Sequence, residues 1–168
     1  MARRYVLSMM AANRVGILAA VTNGLAELGG NLVEASQTVV QEFFTLILAA
    51  DFPEDRDPQI IQDHLRDVCR PFDMIVTLKD PRYEEFDASA VETSVAGTLV
   101  VSGTDQPGIL RDVTARLARL NINIAGVHAF ARDDGTYLIE LKLAASGELD
   151  GESILNELIP LGLNIQLR

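Results

Sequence analysis

Two short stretches of this chain could do the same chemistry twice. Asn13-Arg14-Val15-Gly16-Ile17-Leu18 and Asp105-Gln106-Pro107-Gly108-Ile109-Leu110 each stand between an apolar, strand-like run and an amphipathic, helix-like run. A loop that leads into a helix leaves the first backbone N–H groups unpaired and turned outward, with the positive end of the helix dipole behind them. Such a place attracts anions, and Gly16 and Gly108 lack the Cβ that would hold a small carboxylate away from the backbone. Asn13, and Asn31 further along, carry donor and acceptor atoms on one amide, which suits them to hold the ammonium and the carboxylate of a zwitterion together. Each residue also has a purely structural explanation: glycine for the geometry of the turn, Asp105 as a helix cap, asparagine where an edge strand begins.

The elements that must position these loops are themselves duplicated. Gly16 and Gly108 stand 92 residues apart, and at that offset Leu7, Val21, Thr22, Leu25, Ala26, Leu28 and Asn31 meet Leu99, Val113, Thr114, Leu117, Ala118, Leu120 and Asn123. A period of this kind means that one small unit was built twice. The 168 residues therefore divide into two units of about 80 residues each. Units that small bury only about 60% of their unfolded surface, so each is expected to lean on its sister or on another subunit.

In the first copy an alternating run over 5–10 precedes the loop, and its counterpart is 98–103. Leu18, Val21, Leu25 and Leu28 then recur at helical spacing, Leu110, Val113, Leu117 and Leu120 repeat them, and Gly29-Gly30 ends the first helix. Residues 32–40 and 43–50 read as a hairpin, as do 122–130 and 136–144 around Asp133-Asp134-Gly135, whose types tolerate positive φ. Second helices over 58–70 and 151–160 and last strands over 74–79 and 163–167 complete each copy. The order β-α-β-β-α-β predicts an α+β fold of two ferredoxin-like domains, each an antiparallel sheet with two helices on one face. The first domain is expected over 1–80 and the second over 95–168, joined by an acidic linker over 81–94 that contains Pro81 and lacks apolar periodicity.

Strand alternation assigns Phe44, Leu46, Leu48 and Ala50 to a core face, with Tyr137, Ile139, Leu141 and Leu143 as their counterparts. That leaves Phe43, Thr45, Ile47 and Ala49 on an outer face that is unusually apolar, so the first copy's open sheet face is expected to be covered, by the second copy or by another chain.

A formal net charge of −10 and a pI near 4.6 argue against direct contact with nucleic acid or an anionic membrane. No apolar run approaches the roughly 20 residues of a membrane span. The run over 5–12 behind Arg3 and Arg4 resembles a signal peptide only superficially, because its counterpart lies mid-chain. Cys69 is the lone cysteine, which fits a reducing compartment and predicts a cytoplasmic protein. His64, His128 and Cys69 have no partners at metal-ligand or nucleophile spacing and read as surface or packing residues, and Glu84-Glu85-Asp87 reads as solvated linker. No catalytic residue, metal or cofactor is expected.

Taken jointly, the two six-residue stretches, each with an Asn fifteen residues after its Gly (Asn31 and Asn123), resemble the ACT domain, a ferredoxin-like module that binds small ligands, commonly amino acids. The resemblance covers nearly the whole chain. Asn31-Leu32-Val33-Glu34-Ala35-Ser36-Gln37-Thr38 with Glu42-Phe43-Phe44-Thr45 is similar to a narrower subgroup, which holds small stand-alone ACT proteins and the tandem-ACT glycine cleavage system transcriptional repressor family. The resemblance implies a ligand between two domains, with the first strand-helix loop of one facing the start of the second strand of its neighbour. Asn13, Arg14 and the backbone from Val15 through Gly16 and Ile17 to Leu18 would then face Asn31 or Asn123, and Asp105, Gln106, Gly108, Ile109 and Leu110 would form the related site. Two departures matter: Val15 stands where Pro is frequent, and Asp105 takes the place of Asn13. By charge alone the first loop is the better carboxylate site, while Asp105 takes an ammonium or caps its helix.

The function this implies is that of a non-catalytic regulatory protein. A small amino acid, glycine by resemblance, would bind at domain interfaces of a homodimer or higher homo-oligomer and change the affinity for a partner protein, a transcription regulator. A regulatory subunit of an amino-acid metabolic enzyme is the alternative within that class. An acylphosphatase-like enzyme is the alternative outside it, with only Arg14 beside Gly16 in its favour.

Overall fold

The computed structural model describes residues 2–53, 56–83, 94–145 and 147–168. Alternation of apolar and polar side chains makes β1 (Ala2–Ala12) a strand with Tyr5, Leu7, Met9 and Ala11 buried. After the loop, α1 (Ile17–Glu27) leads to β2 (Asn31–Val40), β3 (Phe43–Pro53), α2 (Pro58–Val68) and β4 (Ile75–Lys79). The second copy repeats the order as β5 (Val95–Thr104), α3 (Ile109–Arg119), β6 (Asn123–Ala131), β7 (Thr136–Ala144), α4 (Gly151–Leu158) and β8 (Asn164–Leu167). Each copy builds one four-stranded sheet, ordered β2-β3-β1-β4 in the first and β6-β7-β5-β8 in the second, with antiparallel pairing throughout. The chain divides into units 1–86 and 87–168. The acidic residues Glu84, Glu85 and Asp87 expected as linker lie outside the described residues, and Pro81–Tyr83 form a 3₁₀ turn.

Each unit closes its own core. In the first, Tyr5, Leu7 and Met9 of β1 and Phe44, Leu46 and Leu48 of β3 pack against Ile17, Val21 and Leu25 of α1 and Ile61 and Leu65 of α2. In the second, Leu99 and Val101 of β5 and Tyr137, Ile139, Leu141 and Leu143 of β7 meet Ile109, Val113 and Leu117 of α3 and Ile154 and Leu158 of α4. The core faces assigned from strand alternation are therefore the buried ones. The helix stripe differs by one residue at its start: Ile17 and Ile109 are buried, whereas Leu18 and Leu110 are exposed. Ile17 stands four and eight residues before Val21 and Leu25, so it continues their stripe, and Leu18 falls about 100° round the helix.

The helix ends explain how one sequence pattern survives two compositions. Gly29, at φ 72°, donates its N–H to Ala26 O at 2.9 Å and Gly30 donates to Leu25 O at 2.8 Å, the paired bonds that close a helix through a left-handed residue. Asn121, at φ 56°, does the same in the second unit, with its N–H on Ala118 O at 3.0 Å and that of Ile122 on Leu117 O at 3.1 Å. The helix expected over 58–70 stops at Val68 because Pro71 follows, and residues Arg70–Phe72 turn as 3₁₀. Asp57 and Asp150 cap α2 and α4 by accepting from the N–H groups of Gln59 and Ser153.

Candidate functional site

Both strand-helix loops are tied down from the hairpin turn beside them. Asn13 N–H donates to Glu42 O at 2.7 Å, and Asp105 N–H donates to Gly135 O at 3.0 Å. The backbone is spent on these anchors, and Asn13 and Asp105 are exposed. Gly16 (φ 97°) and Gly108 (φ 92°) are the residues immediately before α1 and α3, in a conformation that L side chains rarely adopt. Among the described residues no side chain caps either helix, so of the two alternatives for Asp105, an ammonium partner or a cap for α3, the cap is not the one formed. The glycine-led turn sets the helix without a cap, and the carboxylate stays exposed.

The amides behind these glycines are accessible for pairing. Ile17 N–H reaches Arg14 O only at 3.5 Å, Ile109 N–H reaches Gln106 O at the same distance, and the helical pattern begins with Ala20 N–H on Gly16 O and Asp112 N–H on Gly108 O, both at 2.9 Å. Among the described residues nothing accepts from the N–H groups of Leu18 and Ala19, or of Leu110 and Arg111. Each loop therefore presents a pair of consecutive donors at the positive end of an eleven-residue helix.

The surroundings of the two pairs differ. In the second unit a depression of about 380 Å³ opens beside the pair, lined by the loop from Asp105 to Arg111, by Ala129–Ala131 at the end of β6, and by Tyr137 and Ile139 of β7. The Arg111 guanidinium lies over Gly108: a Cβ there would meet Nη2 at 2.9 Å. Its Nε donates to Asp112 Oδ1 at 2.8 Å, which holds the Asp112 carboxyl below the usual carboxylate range. In the first unit Ala19 takes the place of Arg111, and the Phe72 ring stands 3.7 Å from where a Cβ on Gly16 would lie. A depression of about 340 Å³ lies beside Arg14 rather than along Gly16–Ala19, lined by Arg14, Phe43, Phe72 and Asp73 together with Met10–Ala12 and Met74–Ile75. Arg14 reaches Pro71 O at 3.5 Å, and Val15 is fully exposed.

The structure gathers Asn13 to Leu18 in one place and Asp105 to Leu110 in another, but it does not bring Asn31 or Asn123 to the loop of its own unit. Asn31 pairs with Asp51, which pairs with Arg4, so Asn31 is level with the start of β1 while the loop follows its end. Eight residues of strand, about 26 Å, separate the two levels. Asn123 pairs with Ala144 opposite Val95, the start of β5, with the same result. A site that used an Asn with a loop needs the Asn of a neighbour.

Three side chains near the loops carried no sequence signal that singled them out. Arg111 lies one position past the repeated block, Phe72 follows a helix break, and Tyr137 sits within an apolar strand pattern. Tyr137 is 4% exposed, its hydroxyl has no hydrogen-bond partner among the described residues, and burial raises its pKa. The hydroxyl lies 3.6 Å from where a Cβ on Gly103 would stand. His64 Nε2 stands 2.9 Å from the Glu27 carboxylate, joining α2 to α1, and His128 packs edge-on against Phe130 with ring centroids 5.6 Å apart. Cys69 is buried, which pushes its thiol up. No helix among the described residues is long and apolar enough to cross a membrane.

Two βαββαβ units of one design, each opening a glycine-led helix start beside a short hairpin, define a tandem ferredoxin-like protein. The family model of the ACT domain matches residues 5–68 and 97–159, and the chain belongs to that family. A UPF0237 protein of Methanosarcina mazei is 36% identical over 52 residues, 31% of this chain and 56% of that one, so the chain spans about half the length of such curated relatives. An unknown protein from Galdieria sulphuraria has the same fold over 100% of this chain and 98% of its own, at a TM-score of 0.78 and 19% identity. The structure of a candidate glycine cleavage system transcriptional repressor matches over 100% and 97%, at a TM-score of 0.73 and 17% identity.

Proposed function

We propose that this ACT-domain protein is a regulatory sensor that binds a small amino acid at its strand-helix loops and thereby changes its affinity for a partner protein. The observation that carries the reading is the pair of amides behind a positive-φ glycine that have no acceptor among the described residues, present in both units and, in the second, set beside an open depression lined by the loop itself. The amides receive the α-carboxylate, Arg111 adds positive charge at the second site, and Asn13 or Asp105 stands close enough along the chain to take the ammonium. Glycine is the first ligand to try and a transcription regulator the first partner, since a fold match extends over the whole chain to a candidate repressor of the glycine cleavage system.

A ligand shifts an arrangement only if it binds one state better than another. A site whose loop and asparagine come from different chains meets that condition, because closing the interface completes the ligand's shell. The test is a thermal-shift screen of the common amino acids, glycine included, on the full chain. An amino acid at 100 times its dissociation constant should stabilise the protein by about 2.7 kcal/mol. A flat response across the screen refutes the reading.

A further inference from the structure

The open face of the first unit's sheet is apolar in a way that its sister's is not. Across β2-β3-β1-β4 the pairing aligns four rows: Val40, Phe43 and Ala12; then Thr38, Thr45, Met10 and Ile75; then Ser36, Ile47, Ser8 and Thr77; then Glu34, Ala49, Val6 and Lys79. The large side chains among them are exposed, Met10 at 42%, Phe43 at 53%, Ile47 at 57%, Ile75 at 58% and Val40 at 61%. Small hydroxyl residues and alanines fill the spaces between. On the second unit the matching face carries His128 opposite Glu140, and Lys142 opposite Gly126. The fold therefore does not demand an apolar face; the first unit alone has one.

We propose that a second copy of the chain docks on this face, sheet to sheet, about a two-fold axis that runs along the strands between β1 and β3. That rotation carries β2 over the partner copy's β4 and β3 over its β1 without shifting along the strand. Apart from Val40, whose row β4 does not reach, every large residue then meets a small one: Phe43 faces Ala12, Ile47 faces Ser8, Met10 faces Thr45 and Ile75 faces Thr38, each twice. Alternating large and small positions is how facing layers interdigitate at sheet spacing. The charges match as well. Glu34 and Lys79 stand at opposite edges of one row, so the rotation sets each over the other, and it sets Arg4 over Asp51, which already pair within the sheet at 2.8 Å.

A two-fold across the strands would instead place Glu34 over Val40 and leave the charge unmatched. Four strands and four rows span about 20 by 25 Å. Such a footprint is of the order of the roughly 800 Å² that each partner buries in a standard interface.

Sedimentation of the full chain from 1 to 100 μM should show a dimer. Ile47→Glu should raise its dissociation constant by about 100-fold or more while far-UV circular dichroism and the melting curve stay as in the unmodified chain, because Ile47 is exposed in the single chain. Glu34→Lys and Lys79→Glu should each weaken the dimer by about 3–10-fold at low salt. An equimolar mixture of the two variants should recover it, since both inter-copy pairs are then opposite in sign. A chain that stays monomeric at 100 μM, a dimer indifferent to Ile47→Glu, or a mixture no tighter than either variant alone overturns the proposal.

Discussion

Replacing Gly108 with alanine separates the backbone role of the loop from its proposed role in binding. At φ 92° an L residue is strained, and a single left-handed position costs an alanine about 1–2 kcal/mol. The added Cβ would also stand 2.9 Å from Arg111 Nη2 and 3.1 Å from its Cζ. The guanidinium is the mobile end of its side chain, so it swings aside at little cost to stability, but it leaves its place over the helix start. Gly16→Ala meets the Phe72 ring at 3.7 Å, an ordinary contact, and carries the backbone cost alone. Gly135→Ala is the control: its φ is 77°, no described residue lies within 4 Å of the added carbon, and β7 rather than a helix follows it.

All three variants should therefore lose about 1–2 kcal/mol, and each 1 kcal/mol lowers Tm by roughly 4–8 °C in a unit of this size. The ligand response should divide them. With glycine, or whichever amino acid stabilises the unmodified chain, Gly135→Ala should keep the full shift on top of its lower starting Tm. Gly16→Ala and Gly108→Ala should lose at least the share belonging to their own site, because a methyl group then stands where the carboxylate approaches the amides. Calorimetry at saturating ligand reads both quantities. A Gly108→Ala and a Gly16→Ala variant that both keep the whole shift would refute the amide site, and a stability equal to the unmodified chain would refute the strain argument.

Isothermal titration of Asn13→Ala and Asp105→Ala ranks the two loops: by charge the first variant should lose more carboxylate affinity, and a larger loss from the second would assign the stronger site to the depression beside Arg111. Asp80 accepts hydrogen bonds from Arg82 and Arg3, which hold its carboxyl well below the usual carboxylate range. A depressed folded-state pKa contributes stability that is complete above the unfolded value, about 3.9, and is lost as pH falls through the folded one. Tm should therefore drop below pH 4, and Asp80→Asn should lower Tm at pH 7 while narrowing the gap between pH 7 and pH 3, a gap that Asp51, Asp112, Asp134 and Asp150 share through their own lowered values. Cys69 is buried with its thiol pushed up, so its labelling by a disulfide reagent at pH 8 should run at least about 100-fold slower in the native chain than in denaturant; equal rates would contradict its placement in the core. Asn121→Gly should raise Tm by relieving a left-handed residue at φ 56°, which a melting curve reads directly.

The repeat made the fold legible because every element appears twice, so a signal blurred in one copy is clear in the other. The hairpin turn is plain at Asp133-Asp134-Gly135 and obscure at Gln41-Glu42, where two non-glycine residues take positive φ. What stayed hidden depended on pairing across strands. Phe43, Ile47, Met10 and Ile75 lie on three strands up to 65 residues apart in sequence, and only the register shows that small residues separate them in rows. The Arg111 guanidinium over Gly108 was hidden for a related reason. A side chain three residues into a helix can fold back over its start or point away, and spacing alone leaves the choice open.

Duplication also sets up a division of labour, because two copies under one fold need not keep the same tasks. The backbone device is identical in both units: a glycine at φ near 95°, two unclaimed amides, and a loop anchored to the neighbouring hairpin. Around it the first unit has placed Phe72 and Ala19 and has kept a sheet face whose centre is apolar, with Glu34 and Lys79 at its edges, while the second has placed Asp105 and Arg111 and has put His128, Glu140 and Lys142 on its own. Interfaces between copies favour uncharged, interdigitating surfaces, and zwitterion sites favour opposite charges held a few ångströms apart. On the proposed reading, assembly falls to the first unit's sheet face, while both loops keep the ligand device, the second with Arg111 beside it. A chain altered at Ile47 should then still respond to amino acids at its second loop, and a chain altered at Gly108 should still form its dimer; loss of both properties from either single change would mean that the two tasks are one.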